Sequence, residues 1–186
     1  MKKEISSLPR FILWDTLGEY TGFPSVSDDY GLFQEVTPWL DGGGVHRVVY
    51  NCLADDELKA LEFACRVASA LKNVCLIIEE VDTYATPNVI PNELKRLLKV
   101  GRHYGVSMIF VSRRPAEINR LITAQTRRFV LFRTTEPNDT RYLSSVIGAD
   151  LSEEVRALPD LHFIDWQHGK IERGVISFQG EKRRNL

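Results

Sequence analysis

A run of five apolar residues, 74–78, ends at two adjacent carboxylates, Glu79 and Glu80. Apolar residues that do not alternate with polar ones are typical of a strand buried on both faces, as in a parallel sheet with helices on either side. Ligands bind at the carboxyl ends of the strands in open α/β sheets. The two acids are therefore well placed to hold a metal ion or to polarise a water, although such a pair can also simply open a solvated loop.

The remaining apolar patterns predict strands and helices in alternation. Short apolar runs predict further strands at residues 11–14, 47–51, 106–112 and 129–132. Three- and four-residue spacings, caps and breakers predict helices at residues 27–40, 54–71, 91–105, 117–124 and 140–147. Strands separated by helices imply right-handed crossovers, so the pattern predicts an α/β fold with a mostly parallel sheet sandwiched by helices.

The carboxyl-terminal part has a different pattern. Residues 161–166 and 170–178 flank a His-Gly pair and predict an antiparallel hairpin at one margin of the sheet. At 186 residues the chain is most economically one domain. We therefore expect a single domain over residues 1–186, with its core at 11–148 and the hairpin and tail at 149–186.

The composition is that of an ordinary soluble globular protein, with 44% hydrophobic and 26% charged residues and a net charge of −1. Between residues 91 and 133, however, ten basic residues accompany only two acidic ones, which favours a face for phosphates or for an acidic neighbour. No apolar run approaches membrane-spanning length and no signal-peptide pattern is present. We therefore expect a cytoplasmic protein, in the host cytoplasm if the source is viral.

The three cysteines, Cys52, Cys65 and Cys75, lie in or beside apolar runs. Neither their spacing nor that of the four histidines is typical of zinc ligands. An odd number of cysteines in apolar surroundings predicts buried free thiols in a reducing compartment.

Four stretches together resemble one family of nucleotide-hydrolysing motors. They are F-I-L-W-D-T-L-G-E-Y at 11–20, C-L-I-I-E-E-V at 75–81, G-R-H-Y-G-V at 101–106, and V-S-R-R-P-A-E-I at 111–118 followed by Q-T-R-R-F-V-L-F-R at 125–133. In order and spacing they are similar to the HerA/FtsK group of P-loop ATPases, which includes DNA translocases, conjugation couplers and viral packaging motors. The resemblance covers roughly residues 11–148 and implies a P-loop NTPase-like fold of the RecA/ASCE type.

The resemblance also implies a site for ATP and Mg²⁺. Glu79 would be the magnesium acid, and Glu80 would be the base that polarises the attacking water. Asp15 and Glu19, in the first of the four stretches, would contribute to the nucleotide-binding edge. The partners that the resemblance implies are DNA and the other subunits of a homo- or hetero-oligomeric ring.

Three arginines receive roles by the same resemblance. Arg102 would be a finger that reaches the nucleotide of a neighbouring subunit, and Arg113 or Arg114 would be a sensor of the phosphates. Arg102 has an alternative interpretation as a surface charge of its helix.

The sequence departs from the family pattern in three ways. It contains no G-x-x-x-x-G-K-S/T motif, and its one glycine cluster, 42–44, is not followed by lysine. Glu79 stands where the family has aspartate, and Arg113 stands where the family usually has glutamine. Without a phosphate-binding loop, we expect the chain not to hydrolyse ATP efficiently by itself. Either the loop is absent, or the start of the gene was assigned too late and the loop lies upstream of Met1. In the family, the strand that precedes this loop lies between the strands that correspond here to residues 106–112 and 129–132.

Two other functions stay open from the sequence. The chain could be a non-catalytic structural or regulatory subunit that keeps the fold in order to assemble with active homologues. It could also be a metal-dependent nuclease-like domain, with Asp15, Glu80 and Asp82 as its acid cluster.

Overall fold

The computed structural model describes residues 5–41, 44–53, 56–167 and 169–176. Four predicted features fall outside these residues. They are the glycine helix end at 42–43, the helix start at 54–55, the turn at His168 and the tail beyond 176. The chain divides into two compact units. The first comprises Met1–Arg113 and Glu117–Thr123, and the second comprises Arg114–Ala116 and Ala124–Leu186. The main part of the second unit begins well before residue 149, where the sequence predicted that the core ends.

The first unit is built on a five-stranded sheet with the strand order β2-β3-β1-β4-β5, in which every pairing is parallel. The strands are β1 Arg10–Trp14, β2 Ser25–Val26, β3 His46–Tyr50, β4 Cys75–Ile78 and β5 Ser107–Phe110. Trp14 lies opposite both Tyr50 and Ile78, and Ile78 lies opposite Phe110. The carboxyl ends of these four strands therefore meet at one edge of the sheet.

Among its described residues the first unit has five helices, four where the sequence predicted them and one, the short Val81–Tyr84, where it did not. They are α1 Asp29–Val36, α2 Glu57–Leu71, the short α3 Val81–Tyr84, α4 Asn92–Val100 and α5 Arg120–Gln125, with 3₁₀ turns at Thr37–Asp41, Gly101–Tyr104 and, at the boundary of the units, Pro115–Glu117. Asp28 and Asp56 cap α1 and α2 by accepting hydrogen bonds from backbone amides. The predicted helix end at Gly105 is confirmed: its φ is +67°, and a Cβ there would collide with the Asn73 side chain.

Apolar side chains cover both faces of the parallel sheet. On β1, Ile12 and Trp14 belong to one buried cluster, whereas Phe11 and Leu13 belong to another. The residues of β4 divide between the same two clusters in the same alternation, and all four are buried. The double burial that the unalternating apolar run predicted for this strand is therefore confirmed.

The second unit contains a three-stranded antiparallel sheet with the order β6-β7-β8. Its elements are β6 Arg128–Phe132, α6 Pro137–Ile147, α7 Ala149–Arg156, β7 His162–Gln167 and β8 Lys170–Val175. The predicted hairpin is confirmed as β7 and β8, but it belongs to this separate sheet and not to a margin of the parallel sheet, as the sequence predicted. Helix α7 was not predicted, and its Leu151 and Val155 pack with Ile164 in the buried cluster of this unit.

One strand lies in a different sheet from the one predicted. The sequence placed residues 129–132 in the parallel sheet, but β6 pairs antiparallel with β7, with Leu131 opposite Ile164. Leu131 packs against the buried cluster, whereas the next residue back, Val130, is 40% exposed. A four-residue apolar run does not encode strand direction, and alternate burial is typical of an antiparallel sheet with one covered face. The overall fold class, a mostly parallel α/β sheet with a carboxyl-terminal hairpin, is confirmed.

Cys52, Cys65 and Cys75 are free and buried, as predicted. Burial raises the pKa of the Cys65 thiol to about 12, so this group is an inert apolar core residue at neutral pH. Within the described residues, no helix is long and apolar enough to cross a membrane.

Candidate functional site

The carboxyl edge of the parallel sheet carries a cluster of acidic side chains. Two backbone hydrogen bonds extend the strand pairing to this edge, from Asp15 N to Tyr50 O at 3.0 Å and from Glu79 N to Trp14 O at 3.1 Å. A cavity of about 220 Å³ opens there. It is lined by Asp15, Leu17, Glu19, Glu79, Glu80, Val111, Ser112 and Arg113. Five of the seven site residues that the sequence predicted therefore lie together.

Asp15 holds the loop that follows β1. Its side chain is buried, and its Oδ1 accepts hydrogen bonds from the amides of Leu17 and Gly18 at 3.2 and 3.0 Å. Its Oδ2 accepts from the amide of Tyr20 at 2.9 Å. Gly18 has a φ of +69°, a conformation that favours glycine. The Asp-x-x-Gly-Glu-Tyr stretch is thus a turn closed by its own first residue, and Asp15 serves the site by positioning Glu19 and Tyr20.

Tyr20 is a site residue that the sequence analysis did not select. Its hydroxyl donates a hydrogen bond to Glu79 Oε1 across the edge of the sheet. Burial raises the pKa of Glu79, the hydrogen bond from Tyr20 lowers it in part, and the neighbouring carboxylates raise it further. Burial and the same hydrogen bond raise the pKa of Tyr20, so the phenol keeps its proton. The signal was present, since this tyrosine ends the stretch that carries the family resemblance.

Glu80 adopts a left-handed backbone conformation, with φ of +48° and ψ of +45°. A residue with a Cβ rarely adopts this conformation, which costs about 1–2 kcal/mol. The residue lies between β4 and α3, as the N-cap of α3, and the hydrogen bond from Val81 N to Val111 O at 3.0 Å holds the start of the helix. Its carboxylate forms an ion pair of 2.6 Å with the Arg113 guanidinium. In proteins, residues held in such sparsely populated conformations are often found at functional sites.

Two predicted site residues lie elsewhere. Arg114 forms an ion pair of 2.8 Å with Asp139, a buried carboxylate that also accepts from the Ala116 amide at 2.9 Å. Arg102 lies in the 3₁₀ turn before β5, whereas the acidic cluster follows the strands, so it lies toward the opposite edge of the sheet. Asp82, invoked for a nuclease-like cluster, lies on α3 and does not line the cavity.

The size of the cavity and the carboxylates that line it limit what the cavity can bind. Small-molecule pockets commonly enclose about 300–1,000 Å³, so at about 220 Å³ this cavity is smaller than those that enclose a whole ligand. Carboxylate oxygens are the donors that Mg²⁺ prefers, and it is usually held by one or two of them together with substrate phosphates. Within the described part of the chain, no group of three or more metal-binding side chains forms a cage. The Glu79 carboxylate therefore fits a magnesium ion that is held jointly with phosphates.

Two solved structures of viral packaging proteins share this fold. The genome packaging NTPase B204 from Sulfolobus turreted icosahedral virus 2, in complex with AMPPCP, has a TM-score of 0.70 and 21% identity, and the match covers 92% of this chain and 85% of that one. The DNA-packaging ATPase B204 from Sulfolobus turreted icosahedral virus has a TM-score of 0.70 and 21% identity, with 95% and 87% covered. The predicted P-loop NTPase-like fold is confirmed.

Curated relatives add sequence similarity. The probable helicase MJECL08 of Methanocaldococcus jannaschii is 32% identical over 108 residues, which are 55% of this chain and 19% of that protein. The probable DNA double-strand break repair helicase HerA of the same organism is 28% identical over 112 residues, 57% and 22% of the two chains. The chain thus spans about a fifth of the length of these relatives. No protein-family profile matches it. The resemblance to the HerA/FtsK group is confirmed.

Proposed function

We propose that this chain supplies the acidic half of an ATP-hydrolysing site in a HerA/FtsK-like motor that translocates or packages DNA. The observation that supports this function best is the placement of Glu79 and Glu80 at the end of β4. Both carboxylates line the cavity at the carboxyl edge of the sheet, and Glu80 is held there in a strained conformation. Similarity to a probable DNA double-strand break repair helicase, and a shared fold with a DNA-packaging ATPase, support the choice of a DNA motor.

Each charged group at the edge receives a role. Glu80 accepts the proton of the attacking water, and Arg113 holds its carboxylate until phosphates compete for the guanidinium. Glu79, oriented by Tyr20, would hold Mg²⁺, which when bound neutralises charge on the phosphates. Glu19 lines the same cavity and extends its negative potential toward the metal. Arg113 is a better phosphate sensor than Arg114, because Arg113 lines the cavity and Arg114 does not.

The proposal extends to a neighbouring subunit. Arg102 is exposed in the turn after α4, and no side chain of the same chain engages it among the described residues. In a ring, this guanidinium would reach the nucleotide of the adjacent subunit and stabilise the charge that develops on its phosphates. These 186 residues contain no G-x-x-x-x-G-K-S/T motif, so the proposed site takes its phosphate-binding loop from outside them.

A second function is favoured by one observation. Both acids of the proposed site are already engaged by protein groups, Glu79 by Tyr20 and Glu80 by Arg113. Engaged acids suit a non-catalytic subunit that keeps the fold in order to pack beside active homologues. In that case, removing either acid would change the stability of the assembly without changing its chemistry.

Reconstitution distinguishes the two functions. The purified chain alone is expected to show no magnesium-dependent ATP turnover, and a phosphate-loop-bearing homologue that copurifies with it is expected to restore turnover. Glu79→Ala in the mixture is expected to abolish the restored turnover, while Glu172→Ala, which removes an exposed carboxylate on β8, is not. Restored turnover that tolerates Glu79→Ala would support the non-catalytic subunit. Efficient turnover by the chain alone would contradict the need for an external loop.

A further inference from the structure

Helix α4 carries a straight row of cations, Lys95, Lys99 and Arg102, which we call the α4 ridge. These residues are four and three positions apart, so they lie on one side of the helix and of the turn that continues it. The apolar residues Leu94, Leu97 and Leu98 are buried on another side, and the three cations are exposed. At a rise of about 1.5 Å per residue, the ridge is about 10 Å long.

The ridge differs from other cations of the chain in lacking ion pairs. Arg96, on the same helix, lies 2.7 Å from Glu93, and Arg128 and Arg173 form ion pairs with Asp165 and Glu154. Across the described residues, no carboxylate forms an ion pair with any member of the ridge. Like charges at this spacing repel one another, so the row weakens the isolated helix. An anionic partner outside the chain would relieve that repulsion.

From these unpaired cations we propose that Lys95 and Lys99 of the α4 ridge dock on the phosphate backbone of DNA, while Arg102 at the end of the ridge keeps the role proposed above toward the adjacent subunit. The inference deepens the proposed function and rests on it for the choice of DNA. Duplex DNA carries one charge per about 1.7 Å of its axis, so a 10 Å row meets several phosphates at once. Lysine ammonium groups suit such contacts because they neutralise charge without reading bases.

The surroundings of the ridge favour a nucleic acid over an acidic protein. Protein interfaces are usually centred on apolar or aromatic anchors. Along α4 and the turn that follows it, residues 92–104, no large hydrophobic side chain is exposed, so the ridge itself carries no such anchor. The ridge also leads to the amino end of β5, whereas the carboxylates lie at the carboxyl edge. Phosphates on the ridge are therefore kept away from the acidic cluster.

The salt dependence of DNA binding tests the proposal. The probe is a random-sequence duplex of about two helical turns, and its binding to the full chain is followed by fluorescence anisotropy over a range of salt concentrations. Lys95→Gln/Lys99→Gln is expected to weaken binding and to reduce the slope of log K against log salt by about 1.8, because each lost phosphate contact removes about 0.9. The double variant leaves Arg102 intact for its proposed role in hydrolysis.

A matched control removes the same net charge from paired cations. Lys59→Gln/Arg173→Gln eliminates charges already neutralised by Asp56 and Glu154, so its slope is expected to equal that of the wild type. Equal slopes for the ridge variant and the wild type would overturn the proposal, as would wild-type protein that binds no duplex at low salt. Competition by polyglutamate as strong as that by DNA would overturn the choice of DNA. None of these outcomes bears on hydrolysis, which the Glu79 variant tests separately.

Discussion

The Arg113 guanidinium lies 2.6 Å from the carboxylate of Glu80, while the next residue, Arg114, lies 2.8 Å from Asp139. The two neighbouring ion pairs differ in burial. The Arg113 side chain is 80% exposed and that of its partner 21%, whereas the Asp139 side chain is 1% exposed. An exposed pair contributes little to stability, but a buried carboxylate that loses its partner is costly.

Adjacent arginine variants should therefore differ in stability. Arg113→Gln is expected to change the free energy of unfolding by less than about 1 kcal/mol. Arg114→Gln is expected to lower it by about 1–3 kcal/mol, because Asp139 stays buried with fewer donors. Urea unfolding of the two variants measures the difference. If both variants lost the same free energy of unfolding, the burial of Asp139 would not make its ion pair more important for stability than that of Glu80.

The left-handed conformation of Glu80 predicts that glycine is more favourable than alanine at this position. Glu80→Gly and Glu80→Ala both remove the carboxylate and the ion pair, so they differ only in the presence of a Cβ. At a φ of +48°, the glycine variant is expected to be the more stable of the two by about 1 kcal/mol. Thermal unfolding of the pair tests this. A more stable alanine variant would mean that residue 80 is not left-handed in solution.

The raised pKa of Glu79 predicts that this residue lowers the stability of the folded protein at neutral pH but not in acid. Its ordinary pKa is 4.5, and burial raises the pKa in the folded state, so the folded protein binds this proton more tightly than the unfolded chain does. The resulting stabilisation is full below the unfolded pKa and is lost as pH rises through the folded pKa. Glu79→Gln, which can still accept the hydrogen bond from Tyr20, is therefore expected to be more stable than the wild type at pH 7. The difference should vanish below about pH 4.

Glu154 serves as a control because its pKa is shifted in the opposite direction from that of Glu79. The hydrogen bond from Arg173 lowers the pKa of Glu154, so its stabilisation is present above the unfolded pKa and is lost as pH falls through the folded pKa. Glu154→Gln should be less stable than the wild type at pH 7 and equal to it in acid. Unfolding midpoints of the three proteins between pH 3 and pH 8 distinguish these signs. The same trend for both variants would refute the assignment for Glu79.

Asp15 is expected to matter for folding before it matters for chemistry. Its two oxygens accept three backbone hydrogen bonds, and all three are lost when the carboxylate is removed. Asp15→Ala should cost about 2–4 kcal/mol, and Asp15→Asn should cost less because one oxygen remains. Chemical denaturation measures both. An alanine variant as stable as the wild type would show that the turn does not depend on this side chain.

The sequence predicted the fold well where the signal was local. The apolar run at 75–78 marks a strand buried on both faces, and the acids that follow it lie at the predicted edge. What the sequence could not show was pairing across distance. The hydrogen bond between Tyr20 and Glu79 joins residues 59 positions apart. The direction of β6 depends on β7, which follows some thirty residues later.

Two further features of the site could not be predicted from the residue types at their positions. Glutamate does not favour a positive φ, so nothing in the sequence indicated the left-handed conformation of Glu80. Arg113 and Arg114 are chemically identical neighbours, and only the folded chain separates the one beside Glu80 from the one beside Asp139. Roles assigned by resemblance to an Arg-Arg pair therefore needed the structure to choose between its members.

Hydrolysis by Glu80→Gln tests the central claim most directly. The variant keeps the size of the side chain and removes the group that accepts the proton of the attacking water. In the complex reconstituted with a phosphate-loop-bearing partner, we predict that it binds ATP as the wild type does and that its turnover falls by about 100-fold or more. Turnover within about twofold of the wild type, at equal nucleotide occupancy, would contradict the assignment of this edge as the acidic half of the site.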